Sequence, residues 1–432
     1  MSHSTQPADV ALRKATRRLL PFLFCLYVTN YLDRVNVGFA ALQMKPMLHF
    51  SDAVYGIGGG IFFVGYLLFQ LPSNLILVRI GARRWLGALM IAWGLISAST
   101  LLVHSPETFY LFRFLLGAAE AGFFPGVILY LTYWFPASAR ARSVALFMMA
   151  APISGIIGSP ISGALLSMHS APGLAGWQWL FLVEGLPAVA LGICVPFFLT
   201  EKPLHAKWLS DEERTGLLDS LAREAEAAES TGKASVTSVI AKPEAWLLSA
   251  AYFTLTFASY ALNLWLPQLV KLYSGYEDWL VGFLMVAPFA VSVCVMGFVA
   301  NRADKTHTPH AHYAGVCIAA ALALLFTLPA RGALLPTILL SITVAGIYSG
   351  FGPFWAMPRD LLAGASAPAA IAFINSLGNL GGAFGPSVVG IIKQHTGGFD
   401  AAKAVVAATL FLGAILALLA KPRRQPSSAR IS

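Results

Sequence analysis

Long apolar runs follow one another along the whole chain, separated by short stretches that contain charged residues, glycine and proline. An α-helix needs about 20 consecutive apolar residues to cross a lipid bilayer, and most of these runs have that length. The pattern therefore predicts an all-α membrane protein. Twelve transmembrane helices are expected, near residues 17–38, 53–78, 84–103, 107–134, 140–166, 178–199, 245–271, 278–300, 312–330, 334–358, 366–392 and 401–420.

Composition excludes several other classes of protein. Hydrophobic residues make up 57% of the 432 positions and charged residues 11%, whereas a soluble domain carries about 25% charged residues. Nucleic-acid binding is not expected despite a net charge of +9, because the basic residues lie at the ends of apolar runs and form no single patch. The four cysteines lie within apolar runs without metal-ligand spacing, and the histidines form no paired motif. We expect neither an enzyme nor a metal or cofactor site.

Lysine and arginine are distributed unevenly between the two sides of the predicted spans. The side that holds both termini and the long central loop has 22 of the 29, the other side has five, and Arg34 and Arg113 lie within spans. Cytoplasmic segments of membrane proteins carry the excess of positive charge. We therefore expect a multi-pass protein of the bacterial cytoplasmic (inner) membrane with both termini in the cytoplasm.

The long loop between spans six and seven divides the chain into two sets of six spans. We expect an N-terminal six-helix bundle at residues 1–200, a cytoplasmic linker at 201–244 and a C-terminal six-helix bundle at 245–432. The linker contains 15 of the 49 charged residues. Its segment Ser210-Asp-Glu-Glu213 has the spacing of a capping box, which predicts a surface helix; a partly disordered acidic linker is the alternative.

The two halves contain similar short motifs at a nearly constant spacing. Asn74–Arg79 matches Gly297–Arg302, 223 residues later, and Gly155–Pro160 matches Gly381–Pro386, 226 residues later. Small residues followed by proline let membrane helices approach closely and bend. Because each half has an even number of spans, two parallel six-helix repeats are predicted, as in secondary transporters that rock one half against the other around a midplane site.

With these features the chain resembles the major facilitator superfamily, whose signature loop after span two is similar to Arg79–Arg84. This loop departs from the signature at Asn74, where glycine is usual, and at Val78, where an acidic residue is usual. Asn30–Asn36 in span one and Arg113–Gly126 in span four resemble the anion:cation symporter family. The segments most similar to the tartrate and phthalate permease branch of that family are Tyr133–Pro136 and Gly176–Phe181.

Five ionisable residues lie within the predicted spans, away from the membrane interfaces: Asp33, Arg34, Arg113, Glu120 and Glu184. A charge at the bilayer centre costs at least about 2.5–3.5 kcal/mol, so these residues need partners. Arginine keeps its proton in proteins, so Arg34 and Arg113 each require an anion, either a neighbouring carboxylate or a ligand. Glu184 is expected to be structural and bonded to the neighbouring backbone.

Helical spacing predicts how the charges of span one are oriented. Tyr31 and Arg34 share a face, whereas Asp33 is rotated by about 100° from Arg34. We hypothesise that Arg34 and Tyr31 face a central cavity and that Asp33 turns toward Arg113 of span four. The alternative is that these residues and Glu120 form a structural cluster of salt bridges that fixes span one against span four.

The second half has almost no charge within its spans, and its polar positions are amides, hydroxyls and aromatic residues. Uncharged donors suit the carboxylate and hydroxyl groups of a substrate without fixing a second ion. The two asparagines of span eleven have an alternative role, since they lie beside glycines and could bond across a close helix contact. Outside span one, the candidate substrate contacts are Tyr66, Tyr260, Asn263, Trp355, Asn375 and Asn379.

The family resemblance implies import of an organic carboxylate by symport with protons through alternating access. It implies that Arg34 binds the substrate carboxylate and that Asp33 and Glu120 take the protons, and we place Arg113 with the proton-coupling residues. Tartrate-, phthalate- and sugar-acid-like compounds are the candidate substrates of an expected monomer, whose other partners are protons and the lipid bilayer. The alternative is a proton-coupled exporter, because Gly155–Pro160 partly resembles the antiporter motif of span five.

Overall fold

A computed structural model of the chain describes residues 6–168, 173–229, 239–358 and 367–420. These residues are mostly helical, and no β-strand occurs among them. In chain order, the helices are α1 Pro7–Met47, α2 Asp52–Ile80, α3 Ala82–Ser99, α4 Pro106–Glu120, α5 Phe123–Trp134, α6 Ala137–Met148, α7 Ala150–Leu166, α8 Gly176–Phe198, α9 Asp211–Glu229, α10 Pro243–Ser274, α11 Asp278–Leu284, α12 Val286–Thr306, α13 Pro309–Phe326, α14 Leu334–Ala356, α15 Ala367–Thr396 and α16 Asp400–Leu419.

Ten helical segments in the described part of the chain are long and apolar enough to cross a membrane. They coincide with ten of the twelve predicted spans. The other two predicted spans, one and eleven, lie in α1 and α15, which are 41 and 30 residues long. Span one carries Asp33 and Arg34 of the candidate site, and span eleven carries its two asparagines. Twelve membrane crossings therefore remain a prediction.

Three predicted spans are interrupted where continuous helices were expected. Span four is divided into α4 and α5, span five into α6 and α7, and span eight into α11 and α12. The second helix of each pair has a proline as its third residue: Pro125, Pro152 and Pro288. Proline has no N–H to donate to the carbonyl four residues earlier, so the hydrogen bonding of the preceding helix stops there.

The linker contains a helix, α9, in the segment for which a surface helix was predicted. Ser210 and Glu213 form the capping box reciprocally, since the Glu213 N–H donates to the Ser210 hydroxyl at 3.2 Å and the Ser210 N–H donates to the Glu213 carboxylate at 3.0 Å. Lys14 of α1 pairs with Glu213 at 2.7 Å and lowers the pKa of its carboxyl group. Leu217 is fully buried. The helix is therefore attached to the start of α1, while the linker residues 230–238 lie outside the described ranges.

A glutamate of the linker also anchors the loop that departs from the superfamily signature. The Glu201 carboxylate accepts hydrogen bonds from the backbone N–H groups of Ala82, at 2.6 Å, and Arg83, at 3.0 Å. These N–H groups belong to the first turn of α3, where a helix lacks internal acceptors and favours negative charge. Glu201 thus places a carboxylate beside a loop in which Val78 stands at the usual acidic position.

Helices that precede the linker pack against helices that follow it. The pairs are α2 with α15, α7 with α11 and α12, and α1 with α10. In the predicted repeat, span two corresponds to span eight and span eleven corresponds to span five. The contact between spans two and eleven therefore has its equivalent in the contact between spans eight and five. The contacts are therefore those that a parallel repeat would produce, although the repeat itself remains a prediction.

The two halves meet tightly at the end of the bundle away from α9, which we call the far end. There the N–H of Ala53 in α2 donates to Gln394 of α15 at 2.9 Å. A Cβ atom added at Gly56 would collide with the backbone of α15 at Pro386 and Gly390. Glycine at this position lets the two helices cross in contact, so the far end is closed between α2 and α15.

Candidate functional site

Arg34 and Glu120 form a buried ion pair between α1 and α4. The Arg34 Nε donates to Glu120 Oε2 at 2.8 Å, and the Asn30 side-chain amide donates to the same oxygen at 2.9 Å. The Glu120 side chain is 0% exposed and that of Arg34 is 13% exposed. Arg34 therefore has the carboxylate partner that its buried charge requires.

Aromatic rings surround the Arg34 guanidinium. The rings of Tyr31, Phe62 and Tyr66 all lie with their centroids 5.4 Å from its Cζ atom, within cation–π range. From the other side of the linker, the Tyr260 hydroxyl lies 3.4 Å from Arg34 Nη1. Arg34 thus lies at the boundary between the two halves, which is where alternating access places a substrate site.

Glu120 has a hydrogen-bonding position that is not used. Its second oxygen, Oε1, is buried and has no hydrogen-bond partner among the described residues. A buried carboxylate whose single cation is removed is strongly destabilised, whereas a protonated carboxyl group is neutral. The pair can therefore exchange one anion for another at Arg34 if Glu120 takes a proton.

Arg113 of α4 contacts the same Phe62 ring as Arg34. It is 5% exposed, its Nε donates to the Gly58 carbonyl at 3.3 Å, and its Cζ lies 4.8 Å from the Phe62 centroid. Its Nη1 is buried without a hydrogen-bond partner in the described part of the chain. A small cavity of about 30 Å³ borders both arginines, together with Tyr260 and Asn263.

The predicted pairing of Asp33 with Arg113 is wrong in this structure. Asp33 is fully buried, and its Oδ1 accepts hydrogen bonds from Ser97 of α3 at 2.6 Å and from Asn36 at 3.3 Å. The predicted rotation from Arg34 is correct, but the side chain hydrogen-bonds to α3 and forms no ion pair within 4 Å with the described residues of α4. Asp33 therefore lies behind the Arg34 site, within the first half.

Glu184 was expected to bond to the neighbouring backbone, and its partner is instead a side chain. Its Oε1 accepts a hydrogen bond from the Ser162 hydroxyl of α7 at 2.7 Å. The residue is 3% exposed, in agreement with the expected buried position in α8. This contact joins α7 to α8. Glu184 therefore has a structural contact, as predicted, but with a side chain of another helix.

The candidate contacts in the second half are only partly brought together. Asn263 accepts a hydrogen bond from the Tyr348 hydroxyl at 3.2 Å and borders the small cavity. Trp355 packs on Tyr252 at 5.3 Å instead of on the Arg34 cluster. Asn375 and Asn379 of α15 are partly buried and form no side-chain hydrogen bond with any residue described here. Of the predicted residues, the structure groups Tyr31, Arg34, Tyr66, Glu120 and Tyr260.

Two residues of the cluster were not predicted as site residues. Asn30 precedes Arg34 by four positions, and Phe62 precedes Tyr66 by four, so each pair shares one face of its helix. This spacing in the sequence is the signal that could have identified both. Their contacts are specific, since Asn30 shares an oxygen of Glu120 with Arg34 and the Phe62 ring lies within cation–π range of both arginines.

Comparison with known proteins finds a matching family model and similar proteins of nearly the same length. The family model described as Major Facilitator Superfamily matches residues 23–386. A protein of Agrobacterium vitis named "Putative tartrate transporter" is 48% identical, covering 94% of this chain and 90% of that protein. A protein of Acinetobacter baumannii named "Quinolone resistance transporter" is 37% identical, with 96% of each chain covered.

Solved structures show the same fold. The crystal structure of a bacterial homologue of the human lysosomal transporter Spinster, in an inward-facing and occupied conformation, aligns with a TM-score of 0.74. The alignment covers 96% of this chain and 97% of that chain, with 17% sequence identity. At this level of identity the comparison establishes the arrangement of helices and nothing about the substrate.

Proposed function

Because this chain belongs to the major facilitator superfamily, we propose that it imports an organic carboxylate together with protons by alternating access. It is a multi-pass membrane transporter and not an enzyme. The observation that carries the proposal is the buried Arg34–Glu120 pair, which lies where the two halves meet. The similarity to a protein named for tartrate transport supports a carboxylate as the substrate.

The proposed cycle begins with exchange of anions at Arg34. Because the guanidinium keeps its charge, a buried Arg34 needs an anion in every state. A substrate carboxylate that enters the site replaces Glu120, which then takes a proton because its negative charge has lost its cation. After the exchange, Arg34 is paired with a substrate carboxylate and Glu120 is a neutral acid, so neither group is left as an unpaired ion when the site closes.

We propose that Asp33 is the second proton-binding residue. Its Oδ1 is hydrogen-bonded to Ser97, whereas its Oδ2 is buried without a partner among the residues described. It forms no salt bridge with Arg34 or Arg113 in the described structure, so its protonation does not require the substrate to leave. We place Arg113, which contacts the same Phe62 ring as Arg34, with the proton-coupling residues because it adds a positive charge beside them.

The cluster around Arg34 suits substrates that combine a carboxylate with hydroxyl groups. The Tyr31, Tyr66 and Tyr260 hydroxyls are hydrogen-bond donors and acceptors for a tartrate-like or sugar-acid-like compound. The same rings offer stacking surfaces to a phthalate-like acid. Trp355, Asn375 and Asn379 lie outside the cluster, and we propose that they contact substrate after the helices move. Hydroxy acids such as tartrate are therefore the first substrates to test, and phthalate-like acids follow.

Uptake into proteoliposomes tests the proposal. Labelled tartrate, phthalate and a sugar acid are supplied outside, with and without an inward proton gradient. We expect at least one acid to accumulate, by about tenfold for each coupled proton and each pH unit of the gradient. The exporter is the second candidate, favoured by the similarity to the quinolone resistance protein. Proton-driven extrusion of a quinolone, with no uptake of any acid, would establish the exporter and reject the import of carboxylates.

Alternating access also predicts the effect of a bulky residue at the crossing of α2 and α15. Gly56→Val should prevent the far end from closing, because a side chain at this position collides with Pro386 and Gly390. Net tartrate uptake should fall at least about tenfold. Each added kcal/mol in the free energy of closure lowers the population of the closed conformation several-fold. Thermal stabilisation by tartrate should persist, because the open conformation still binds.

Gly297→Val is the matched control for this variant. Gly297 is also helical, but a Cβ atom added there meets no atom within 4 Å. Its uptake should remain within about twofold of that of the wild type. Equal uptake by Gly56→Val and Gly297→Val would show that closure of the far end is not part of the transport cycle.

A further inference from the structure

A basic cavity opens at the far end, on the boundary between the two halves. Its volume is about 740 Å³, within the range of small-molecule sites. The residues that line it include three lysines and a histidine, and no acidic residue is among them in the described structure. We call this cavity the basic vestibule; its polar and charged lining is Lys45, His49, Ser51, Gln268, Lys271 and Lys393.

Asp52, which pairs with two lysines of the vestibule, joins the two halves of the protein. Its carboxylate pairs with Lys45, which belongs to the first half, and with Lys393 of α15 at 2.8 Å. Both lysines also approach the Gln268 side-chain oxygen, at 3.4 and 3.3 Å. Their ammonium groups lie 5.4 and 5.1 Å from the centre of the Trp265 ring. Two cations thus share a single carboxylate, which leaves a local excess of positive charge.

The basic residues on this side of the membrane are concentrated at the vestibule. Five lysines and arginines are predicted on this side of the membrane, and three of them line the vestibule. The other two, Arg331 and Lys403, lie elsewhere. Lys271 is paired with Asp278, whereas Lys45 and Lys393 have only Asp52 as an ion-pair partner within 4 Å in the described structure. The side chains of Lys45 and Lys393 are 13% and 16% exposed, so their charges are only partly screened by water.

We propose that the basic vestibule is an outer docking site for the anionic substrate. This inference rests on the proposed function, since it concerns the same carboxylate. A positively charged cleft raises the local concentration of an anion and its rate of association. A substrate carboxylate that reaches Lys45 and Lys393 competes with Asp52, which is the anion that they already hold.

Competition with Asp52 would also couple docking to opening. The Asp52–Lys393 pair is one of the contacts that hold α2 against α15 at the far end. When substrate takes the place of Asp52, that contact between the halves is lost while both lysines keep an anion. The vestibule thus favours opening of the far end when a dicarboxylate or other carboxylate is present.

Transport kinetics test the docking site. Lys45→Gln and Lys393→Gln are compared with Arg331→Gln, which removes a charge from the same side but outside the vestibule. With labelled tartrate as the probe, each lysine variant should raise KM by about threefold to tenfold and weaken the dependence of KM on salt. Arg331→Gln should do neither. If the wild type takes up tartrate and both lysine variants keep its KM and salt dependence, the vestibule is not a docking site.

A second measurement is independent of transport. Leu272 lines the vestibule and is 63% exposed, so Leu272→Cys, with the four native cysteines replaced, provides a reporter thiol. An anionic sulfonate thiol reagent should react faster than a cationic ammonium reagent, and Lys393→Gln should lower the ratio of the two rates by at least about threefold. A ratio unchanged by Lys393→Gln would overturn the docking site. If Lys393→Gln lowers the ratio as expected but the wild type takes up no acid, the docking site is supported and the proposed function is rejected.

Discussion

Replacing Arg34 by glutamine should reduce tartrate uptake at least about hundredfold. Removal of one partner of a buried ion pair costs about 3–5 kcal/mol, because the other charge is left buried and unpaired. In Arg34→Gln the substrate carboxylate loses its guanidinium and Glu120 loses its counter-ion. The measurement is the initial rate of labelled tartrate uptake into proteoliposomes that contain equal amounts of protein.

A double variant separates loss of function from loss of folding. In Arg34→Gln with Glu120→Gln, both charges of the pair are removed, so thermal stability should recover toward that of the wild type. Uptake should remain at least about hundredfold reduced, because the guanidinium that binds the substrate carboxylate is still absent. Arg302→Gln serves as the control for removal of an exposed arginine. Substantial uptake by Arg34→Gln would show that the substrate carboxylate binds elsewhere.

The helices were predictable because membrane crossing imposes a length and an apolar composition. Ten of the expected spans meet both criteria in the structure. The interruption of span four at Ala121 and Gly122 was not predicted, because a proline does not by itself mark an interruption: Pro72 and Pro160 lie inside helices that continue past them. The length of α1 was also underestimated, since its polar first turns are stabilised by contacts with α9, which are distant in sequence.

The composition of the site was easier to predict than its pairing. The cost of burying charge identifies Arg34 and Glu120 from the sequence alone. Helical spacing correctly separates Asp33 from Arg34, but it does not say which neighbouring helix Asp33 meets, and Ser97 is its partner. The approach of Tyr260 to Arg34 joins positions 226 residues apart, so it depends on the packing of the two halves.

The second large effect is expected from Glu120→Gln, which keeps the shape of the side chain and removes its charge. Arg34 then no longer exchanges an internal carboxylate for the substrate, so no proton has to be taken up at this position. Exchange of labelled for unlabelled tartrate should persist. Proton-driven accumulation should fall by at least about tenfold for each pH unit of the gradient, because one coupled proton is lost and the empty site no longer supplies an anion to Arg34.

Asp33→Asn is the comparison for this variant. Asp33 lies behind the site and does not hold Arg34, so its loss removes a proton without freeing the guanidinium. Tartrate should therefore bind to Asp33→Asn with a pH dependence that Glu120→Gln has lost. Identical pH dependence of binding in the two variants would show that Glu120 and the substrate do not compete for Arg34.

The exchange of anions at Arg34 is tested most directly by the protons that move with the substrate. Tartrate is added to lightly buffered proteoliposomes without a preset gradient, and the external pH and the uptake of label are followed together. We predict that the wild type makes the medium more alkaline as tartrate enters and that Glu120→Gln takes up one proton fewer per tartrate. Tartrate entry without proton movement, or the same ratio of protons to tartrate in both proteins, would contradict the account.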